Sequence, residues 1–335
     1  MPFAPEMRVQ EELPRMSDQK PVVLVPGKIH PRVLERFEGK VEIVSAPAGA
    51  TPTISADVAN RVRAVAVSGS VNAAWIDAMP NLEIIANFGV GYDGVDAKHA
   101  AQRGIIVTNT PDVLNDEVAD TTIALLINTV RRLYQAETYL REGKWVKDGP
   151  FALSPFSLRG RKVGLFGMGR IGQEIAKRLE PFKVEIGYHT RSKRDELSYT
   201  YYASLKDMAT AVDILICIVP GTPQTHKAIN GEILSALGPN GVFINVGRGS
   251  SVDEDALIKA LQDGTLGGAG LDVFYAEPKV PDALLAFDNV SMLPHVASAS
   301  VPTRNAMADL VADNILGWLS DRKALTPVPE TPVKD

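Results

Sequence analysis

A glycine-rich turn between two strands is the feature that most constrains this fold. The pattern G-x-G-x-x-G spans residues 167–172, at the end of the apolar stretch KVGLFG. An amphipathic stretch, QEIAKRLEPF, follows the last glycine, and the next strand-like stretch ends about eighteen residues beyond it. In such a βαβ unit the first glycine makes a tight turn, the second lets the backbone approach a pyrophosphate, and the third permits close helix–strand packing. The run is therefore predicted to bind a dinucleotide at a helix N-terminus, through Gly167, Met168, Gly169, Arg170, Ile171 and Gly172.

A second glycine run, FGVGYDGVD at residues 88–96, has the same spacing in different surroundings. The helix expected after it, VDAKHAAQRG, is short, and the next strand comes about ten residues on. No strand end therefore falls where a ribose would lie. One interpretation is a turn that needs glycine only for its backbone geometry. A second interpretation follows from a family resemblance described below.

Short β-branched stretches alternate with amphipathic ones along most of the chain, which is typical of parallel α/β folds. PVVLVPG, RAVAVSGS, LEIIANFG and GIIVTNT form a first series of predicted strands, with helices at HPRVLERFE and NAAWIDAMP. A long helical stretch, DEVADTTIALLINTVRRLYQAETYLREGKW, and a looser segment at 147–159 lead to a second series. That series comprises KVGLFG, VEIGYHT, DILICIVP, GVFINVG, GAGLDVF and VSMLPH. The pattern predicts two α/β units.

Composition, net charge and cysteine count exclude several classes of partner and site. Hydrophobic residues make up 45 % and charged residues 22 %, as in globular proteins, and the net charge is −5 with Lys and Arg scattered. Neither nucleic acid nor a membrane surface is therefore an expected partner. Cys217 is the only cysteine, which excludes an intrachain disulfide and a multi-thiolate metal site, and we expect it to be a packing residue. We predict a cytoplasmic location, no metal, and disorder over residues 1–19, where Met16 is an alternative start.

The end of the second strand of the nucleotide unit predicts the choice of cofactor. Many NAD enzymes place Asp or Glu there to accept hydrogen bonds from the ribose hydroxyls. Here Thr190 takes that position and is followed by Arg191, Ser192, Lys193 and Arg194. An acid would repel a 2′-phosphate, whereas a hydroxyl and a guanidinium bind one. NADP(H) is therefore predicted over NAD(H), and the alternative is a basic surface loop.

Three further blocks resemble the signatures of the D-2-hydroxyacid dehydrogenase family. INVGRGSSVDEDAL, GGAGLDVFYAEP and MLPHVASAS follow the nucleotide turn in the family's order, and the match extends over nearly the whole chain from Lys20. NTPDVLNDEVAD, YHTRSKR and YTYYASL are most similar to NADP-dependent hydroxypyruvate, glyoxylate and hydroxyphenylpyruvate reductases. The resemblance implies reduction of small 2-oxo acids to D-2-hydroxy acids by hydride transfer.

The resemblance also implies a catalytic set of Arg248, Glu277 and His295. The chemistry agrees, because reduction of a 2-oxo acid needs a cation for the carboxylate and carbonyl and an acid for the developing alkoxide. Arg248 follows a predicted strand, where α/β sites form, and a carboxylate such as Glu277 would stabilise a charged His295. Taken singly, Arg248 is better explained as a solvated loop cation and His295 as a locally hydrogen-bonded histidine, and a simple loop acid is the alternative for Glu277.

The remaining site residues are carried over from the family. In it, the turn matching FGVGYDG presents backbone N–H groups, here of Val90 and Gly91, to the substrate carboxylate. The SGS loop resembles a second substrate loop with Ser70 as its contact, and a solvent-facing turn is the alternative. Asp272 matches a nicotinamide carboxamide contact. The adenosine side and adjoining cofactor wall match Val219, Pro220, Thr225 and Val246.

The family architecture implies two Rossmann-like or flavodoxin-like domains with the active site in the cleft between them. We predict a discontinuous substrate domain at 20–108 plus 296–335 and a dinucleotide domain at 109–295. A homodimer is also implied, in which Trp145 lies in an arm over the partner and either lines its cleft or packs in the interface. Two alternatives stay open: a cofactor-sensing, corepressor-like binding protein, and formate dehydrogenase, which has Gln in the role of Glu277.

Overall fold

The protein folds around two fully parallel sheets, as a computed structural model that describes residues 20–333 shows. Residues 1–19, for which disorder was predicted, lie outside the described part. The first sheet has five strands and the second has seven, and in each the order across the sheet differs from the order along the chain. Both orders reverse once, as in doubly wound folds, and ligands bind at the carboxyl ends of strands near such reversals. The predicted fold class is confirmed.

The strands are short and mostly buried on both faces, because helices cover each sheet. In the first sheet they are β1 (Val22–Pro26), β2 (Glu42–Ala46), β3 (Val62–Val67), β4 (Ile84–Asn87) and β5 (Ile106–Thr108). In the second they are β6 (Lys162–Phe166), β7 (Glu185–His189), β8 (Thr200–Tyr201), β9 (Ile214–Cys217), β10 (Val242–Asn245), β11 (Gly268–Leu271) and β12 (Val290–Met292). The order across the first sheet is β2-β1-β3-β4-β5, and the order across the second is β12-β11-β10-β9-β6-β7-β8.

Side-chain caps begin many of the helices, as the Ser, Asn and Asp residues before them favour. The helices before β6 are α1 (Pro31–Phe37), α2 (Ala56–Arg61), α3 (Ala73–Ala78), α4 (Ala97–Gln102), α5 (Asn115–Arg131), α6 (Leu133–Arg141) and α7 (Lys144–Asp148). Those after β6 are α8 (Arg170–Leu179), α9 (Leu205–Ala211), α10 (Gly231–Leu237), α11 (Glu254–Gln262), α12 (Asp282–Leu285) and α13 (Val301–Asp321).

The last helix returns to the first sheet. Ala308, Val311, Ala312 and Ile315 of α13 are buried in one cluster with residues of β1, β3, β4 and α1. In contrast, α5 packs against α8 and the second sheet. The first unit, as the term is used below, is therefore the β1–β5 sheet with α1–α4 and α13, and the second unit is the β6–β12 sheet with α5 and α8–α12.

The long stretch predicted to be helical, DEVADTTIALLINTVRRLYQAETYLREGKW, is mostly helical, and the structure divides it into α5, α6 and α7. Arg132 adopts a left-handed conformation with φ 51°, and its N–H donates to the carbonyl of Asn128. The Asn128 side chain accepts the next free N–H, from Tyr134. Gly143, with φ 72°, makes the second break. No helix among residues 20–333 is both long and apolar enough to cross a membrane.

Candidate active site

The nucleotide turn joins β6 to α8 with each glycine in a different steric setting. Gly167 has φ 106°, and a β-carbon on it would lie 2.8 Å from the carbonyl oxygen of Ile218. A β-carbon on Gly172 would overlap the carbonyl oxygen of Gly167, whereas one on Gly169 would meet nothing within 4 Å. The backbone at Gly169, which precedes the first turn of α8, is therefore open to a ligand. This cradle fits a dinucleotide pyrophosphate.

The other residues of this turn differ in what they expose. The helix begins at Arg170, inside the glycine run and earlier than the predicted start after Gly172. Met168 is fully buried in the core and Ile171 partly packs there, so they offer a ligand mainly backbone. Arg170 is exposed, and its Nε lies 3.3 Å from a carboxylate oxygen of Asp112, in the connection between the two units.

Hydrogen bonds between residues of β7 and of the loop that follows it fix the conformation of that loop. The hydroxyl of Thr190 donates to the carbonyl of Ser192 at 2.7 Å, and the hydroxyl of Tyr188 accepts from the N–H of Arg194 at 2.9 Å. Lys193 and Arg194 each lie near an acid of the same loop, Asp195 and Glu196, at 3.8 and 3.6 Å. Arg191 and Ser192 are exposed, and within residues 20–333 the Arg191 guanidinium has no ion pair.

The predicted adenosine loop is likewise held by its own side chains. The hydroxyl of Thr225 donates to the carbonyl of Pro220 at 2.6 Å and accepts the N–H of Thr222 at 3.0 Å. Val219 and Val246 follow adjacent strands and are buried. Thr225 therefore shapes the loop.

Glu277 and His295 form a direct pair. The Nδ1 of His295 lies 2.7 Å from Oε2 of Glu277, whose Oε1 accepts the N–H of Phe274 at 2.9 Å. The N–H of His295 donates to the carbonyl of Asp272 at 2.8 Å, and its backbone has φ 54°. Because Glu277 holds Nδ1, the Nε2 of the half-exposed imidazole is the nitrogen left for a ligand.

Asp272 lies beneath this pair, fully buried. Its two carboxylate oxygens accept the N–H groups of Val296 and Ala297 at 2.8 and 3.0 Å. Burial raises the pKa of the Asp272 carboxyl, against the opposing effect of these two hydrogen bonds. In this conformation Asp272 fixes the segment that carries His295 and presents no surface to a ligand.

The side chain of Arg248, in the loop after β10, extends to the first unit. Its Nη1 donates to the carbonyl of Gly247 at 2.9 Å and its Nε to Oδ1 of Asp93 at 3.0 Å. The guanidinium lies against the main chain of Gly91, where a β-carbon would overlap Nη2. The structure thus brings Arg248 to the first glycine run. Sequence patterns did not indicate Asp93, because the contact joins residues 155 positions apart.

The first glycine run is braced by two asparagines that the sequence analysis missed. Asn87 donates to the carbonyls of Gly89 and Gly91 at 3.1 and 3.0 Å, and Asn109 donates to that of Val90 at 2.8 Å. The N–H groups of Val90 and Gly91 donate to no acceptor in the described part of the chain. This turn can therefore bind an anion through its backbone.

Ser70 and Trp145 occupy more exposed positions. Ser70 lies on a loop whose Gly69 carbonyl packs against Gly94 of the first glycine run. Trp145 is exposed on α7, in a segment over residues 132–153 that we call the arm. The arm also exposes large apolar side chains at Tyr134, Leu140, Val146 and Leu153.

Comparisons with known proteins identify the family. The model described as "D-isomer specific 2-hydroxyacid dehydrogenase, NAD binding domain" matches residues 123–297. Hydroxyphenylpyruvate reductase from Plectranthus scutellarioides is 47 % identical over 81 % of this chain and 86 % of its own length. Glyoxylate/hydroxypyruvate reductase A from Arabidopsis thaliana is 47 % identical over 80 % of this chain and 86 % of its own.

A solved structure extends the similarity to nearly the whole chain. It is an NADPH-dependent glyoxylate/hydroxypyruvate reductase from Sinorhizobium meliloti in complex with NADP and malonate, 62 % identical, with a TM-score of 0.92. The alignment covers 95 % of this chain and 99 % of that one. The chain belongs to the D-isomer specific 2-hydroxyacid dehydrogenase family.

Proposed function

We propose that the protein uses NADPH to reduce small 2-oxo acids, such as glyoxylate, hydroxypyruvate and aryl pyruvates, to D-2-hydroxy acids. One observation carries the proposal. Arg248 follows the carboxyl end of β10, and His295 follows the carboxyl end of β12 in the same parallel sheet. From there the Arg248 side chain extends to the Val90–Gly91 turn. A cation, an acid–base group and an anion-binding turn are thus available at one cleft.

Each residue has a distinct part in the proposed reaction. Arg248 and the N–H groups of Val90 and Gly91 bind the substrate carboxylate, and Arg248 also polarises the carbonyl. His295 donates a proton from Nε2 to the developing alkoxide. Glu277 orients the imidazole through Nδ1, which leaves Nε2 to face the substrate. The nicotinamide, when bound, supplies the hydride.

The proposed cofactor site follows the second unit's strand ends. The backbone of residues 167–172 would hold the pyrophosphate, and Thr190, Arg191 and Ser192 would hold the 2′-phosphate. Exposure of Arg191 and Ser192 beside a braced loop supports NADP(H) over NAD(H), as does the similarity to an NADPH-dependent enzyme. The rest of the proposed cofactor wall comprises Lys193, Val219, Pro220, Thr225, Val246 and Asp272. The buried Asp272 would act through the segment that it holds at Val296 and Ala297.

We propose the domain boundaries given above, 20–108 plus 296–335 for substrate and 109–295 for the dinucleotide, and Ser70 as a substrate contact. A homodimer that pairs through the arm completes the proposal. The apolar side chains exposed on the arm support it.

A steady-state panel tests the activity. The purified protein receives NADPH or NADH with glyoxylate, hydroxypyruvate and 4-hydroxyphenylpyruvate in turn, and cofactor oxidation is followed by absorbance. We expect turnover with NADPH and at least one acid. Tight NADPH binding without turnover of any acid would contradict the proposal and favour the cofactor-sensing alternative.

A further inference from the structure

An ion pair connects the two units at the candidate active site. Asp93 lies in the first glycine run, and its Oδ1 accepts a hydrogen bond from Nε of Arg248 at 3.0 Å. Both side chains keep some exposure to solvent, 43 % for Asp93 and 26 % for Arg248. Partly exposed pairs of this kind contribute little to stability, so the value of the contact lies in its geometry.

The contact determines which edge of the guanidinium remains free. Arginine offers donors on Nε, Nη1 and Nη2 in one rigid plane. Asp93 takes Nε, the carbonyl of Gly247 takes one proton of Nη1, and no acceptor among residues 20–333 takes Nη2. These two hydrogen bonds restrain the plane of the guanidinium, and Nη2 lies against the backbone of Gly91. That is the turn proposed to bind the substrate carboxylate.

We propose that Asp93 is a positioning residue that orients Arg248 for the substrate carboxylate. The inference rests on the proposed function. Asp93 belongs to the first unit and Arg248 to the second, so the pair forms only when the cleft brings the two units together. Asp93 thereby couples the approach of the units to the orientation of the cation that binds the substrate.

The charges around Asp93 support orientation as its role. Arg248 is the only cation in ion-pair range of Asp93 among the described residues. The backbone of Gly221 and the hydroxyl of Ser250 lie on the second unit's side of the contact. Nη2 lies on the same edge of the guanidinium as the Nε held by Asp93, so a substrate carboxylate bound at the first glycine run would meet Nη2 beside that contact.

Kinetics of Asp93→Ala and Asp93→Asn test the proposal. Loss of one charge-assisted hydrogen bond predicts about a ten- to hundred-fold fall in kcat/KM for the 2-oxo acid in Asp93→Ala, with KM for NADPH unchanged. Asparagine keeps an oxygen acceptor for Nε, so Asp93→Asn should recover most of that loss. An alanine variant with wild-type kcat/KM, or an asparagine variant as impaired as alanine, would overturn the proposal.

A double-mutant cycle separates positioning from a structural role. Lysine has no Nε fork, so in an Arg248→Lys background the effect of Asp93→Ala should largely disappear. An effect of equal size in both backgrounds would show that Asp93 does not act through Arg248.

Asp96→Ala is the matched control, because Asp96 caps α4 three residues away and does not contact Arg248. If the wild type turns over no 2-oxo acid, the proposed function fails; if only the Asp93 effects are absent, this inference alone fails.

Discussion

At the scale of single residues, the position of His295 depends on two residues that follow β11, Asp272 and Glu277. Glu277 binds its Nδ1, the carbonyl of Asp272 binds its N–H, and the Asp272 carboxylate holds the next two amides. These contacts hold a non-glycine residue at positive φ, a conformation that costs free energy by itself. The imidazole is thus presented in one orientation before any substrate binds.

His295→Ala should lower kcat for the 2-oxo acid by ~10²–10⁴-fold, the usual contribution of general acid catalysis. NADPH affinity should change little, because the imidazole is proposed to contact the substrate. Steady-state kinetics and a fluorescence titration with NADPH measure the two quantities. His226→Ala is the control, since His226 is exposed and makes no acid pair in the described chain. A retained kcat would remove His295 from the proposed mechanism.

Arg191→Ala should lower kcat/KM for NADPH by about ten- to hundred-fold, the equivalent of ~1.5–3 kcal/mol for a lost charge-assisted hydrogen bond. The value for NADH should hardly move, because NADH has no 2′-phosphate. Thr190→Asp should shift the preference further by repulsion. Arg194→Ala is the matched control, since Arg194 faces Glu196. A wild-type NADPH/NADH ratio near one, or one unmoved in Arg191→Ala, would identify the loop as a basic surface.

Residue chemistry was partly predictable. Arg248, Glu277 and His295 stand in recognisable motifs, and the Glu277–His295 contact is one that a carboxylate and an imidazole favour. Asp93 and Asn87 were missed because their partners are determined by the tertiary structure. Asp93 contacts Arg248 of the second unit, and Asn87 donates to backbone carbonyls of the first glycine run, which no sequence pattern identifies.

At the scale of elements, the β6–turn–α8 unit allows a matched pair of substitutions. Gly169→Ala meets open space, so the fold should persist while the methyl group obstructs the pyrophosphate and lowers NADPH affinity at least ~10-fold. Gly172→Ala meets the carbonyl oxygen of Gly167 and should destabilise the protein itself. Thermal unfolding and NADPH titration of both variants separate the two effects. Equal behaviour of the two alanines would refute the division of roles within the turn.

The α1–α13 contact predicts a pH dependence of stability. Hydrogen bonds from Arg32 and Arg36, with burial opposing them, hold the pKa of Asp309 below its usual value. A carboxyl with a depressed folded-state pKa stabilises the protein above its unfolded pKa, and this stabilisation is lost as the pH falls through the folded value.

Asp309→Asn should therefore lower the free energy of unfolding near neutral pH by at most ~1 kcal/mol, as for other partly exposed pairs. The difference from wild type should shrink as the pH falls below the ordinary pKa of an aspartate and through the lower folded-state value of Asp309. Urea unfolding at several pH values measures it, with Asp321→Asn near the end of α13 as the control. A difference that grows on acidification would contradict this assignment.

The element boundaries show where sequence patterns fail. Strand positions followed from runs of β-branched residues, but apolar spacing continues through Arg132, so the pattern could not reveal the left-handed residue that separates α5 from α6. The two-residue strand β8 is too short for any period and forms only because β7 offers a free edge.

At the scale of the whole molecule, the arm is the least integrated part. Neither α6 nor α7 buries a side chain within the described chain, while Val146 and Leu153 are 96 % and 94 % exposed. We expect the arm to pack on a second copy. If the wild type forms the expected dimer, Val146→Glu should shift it towards monomer in sedimentation equilibrium. Leu325→Glu, at an exposed apolar residue outside the arm, should not. A monomeric wild type would contradict this expectation.

The division into two α/β units was predictable because each unit has its own strand series. Their mutual contact was not, since it depends on a few side chains such as Thr121, Glu117 and Ser300. Thr121 donates to the carbonyl of Ala297, and Ser300 donates to the carboxylate of Glu117. These hydrogen bonds join α5, which follows the first crossing of the chain between the units, to residues 297–300, which form the second crossing.

The return of α13 to the first sheet has a consequence during protein synthesis. The strands of that sheet end at Thr108, whereas the helix that completes one of its faces begins at Val301. A ribosome that adds ~5–20 residues per second needs roughly 10–40 s to cross that interval. The second unit has all its strands by then. The first unit is thus the first to begin synthesis and the last to be completed. Until α13 is made, one apolar face of its sheet stays uncovered, and that face is where chaperones would be needed on the nascent chain.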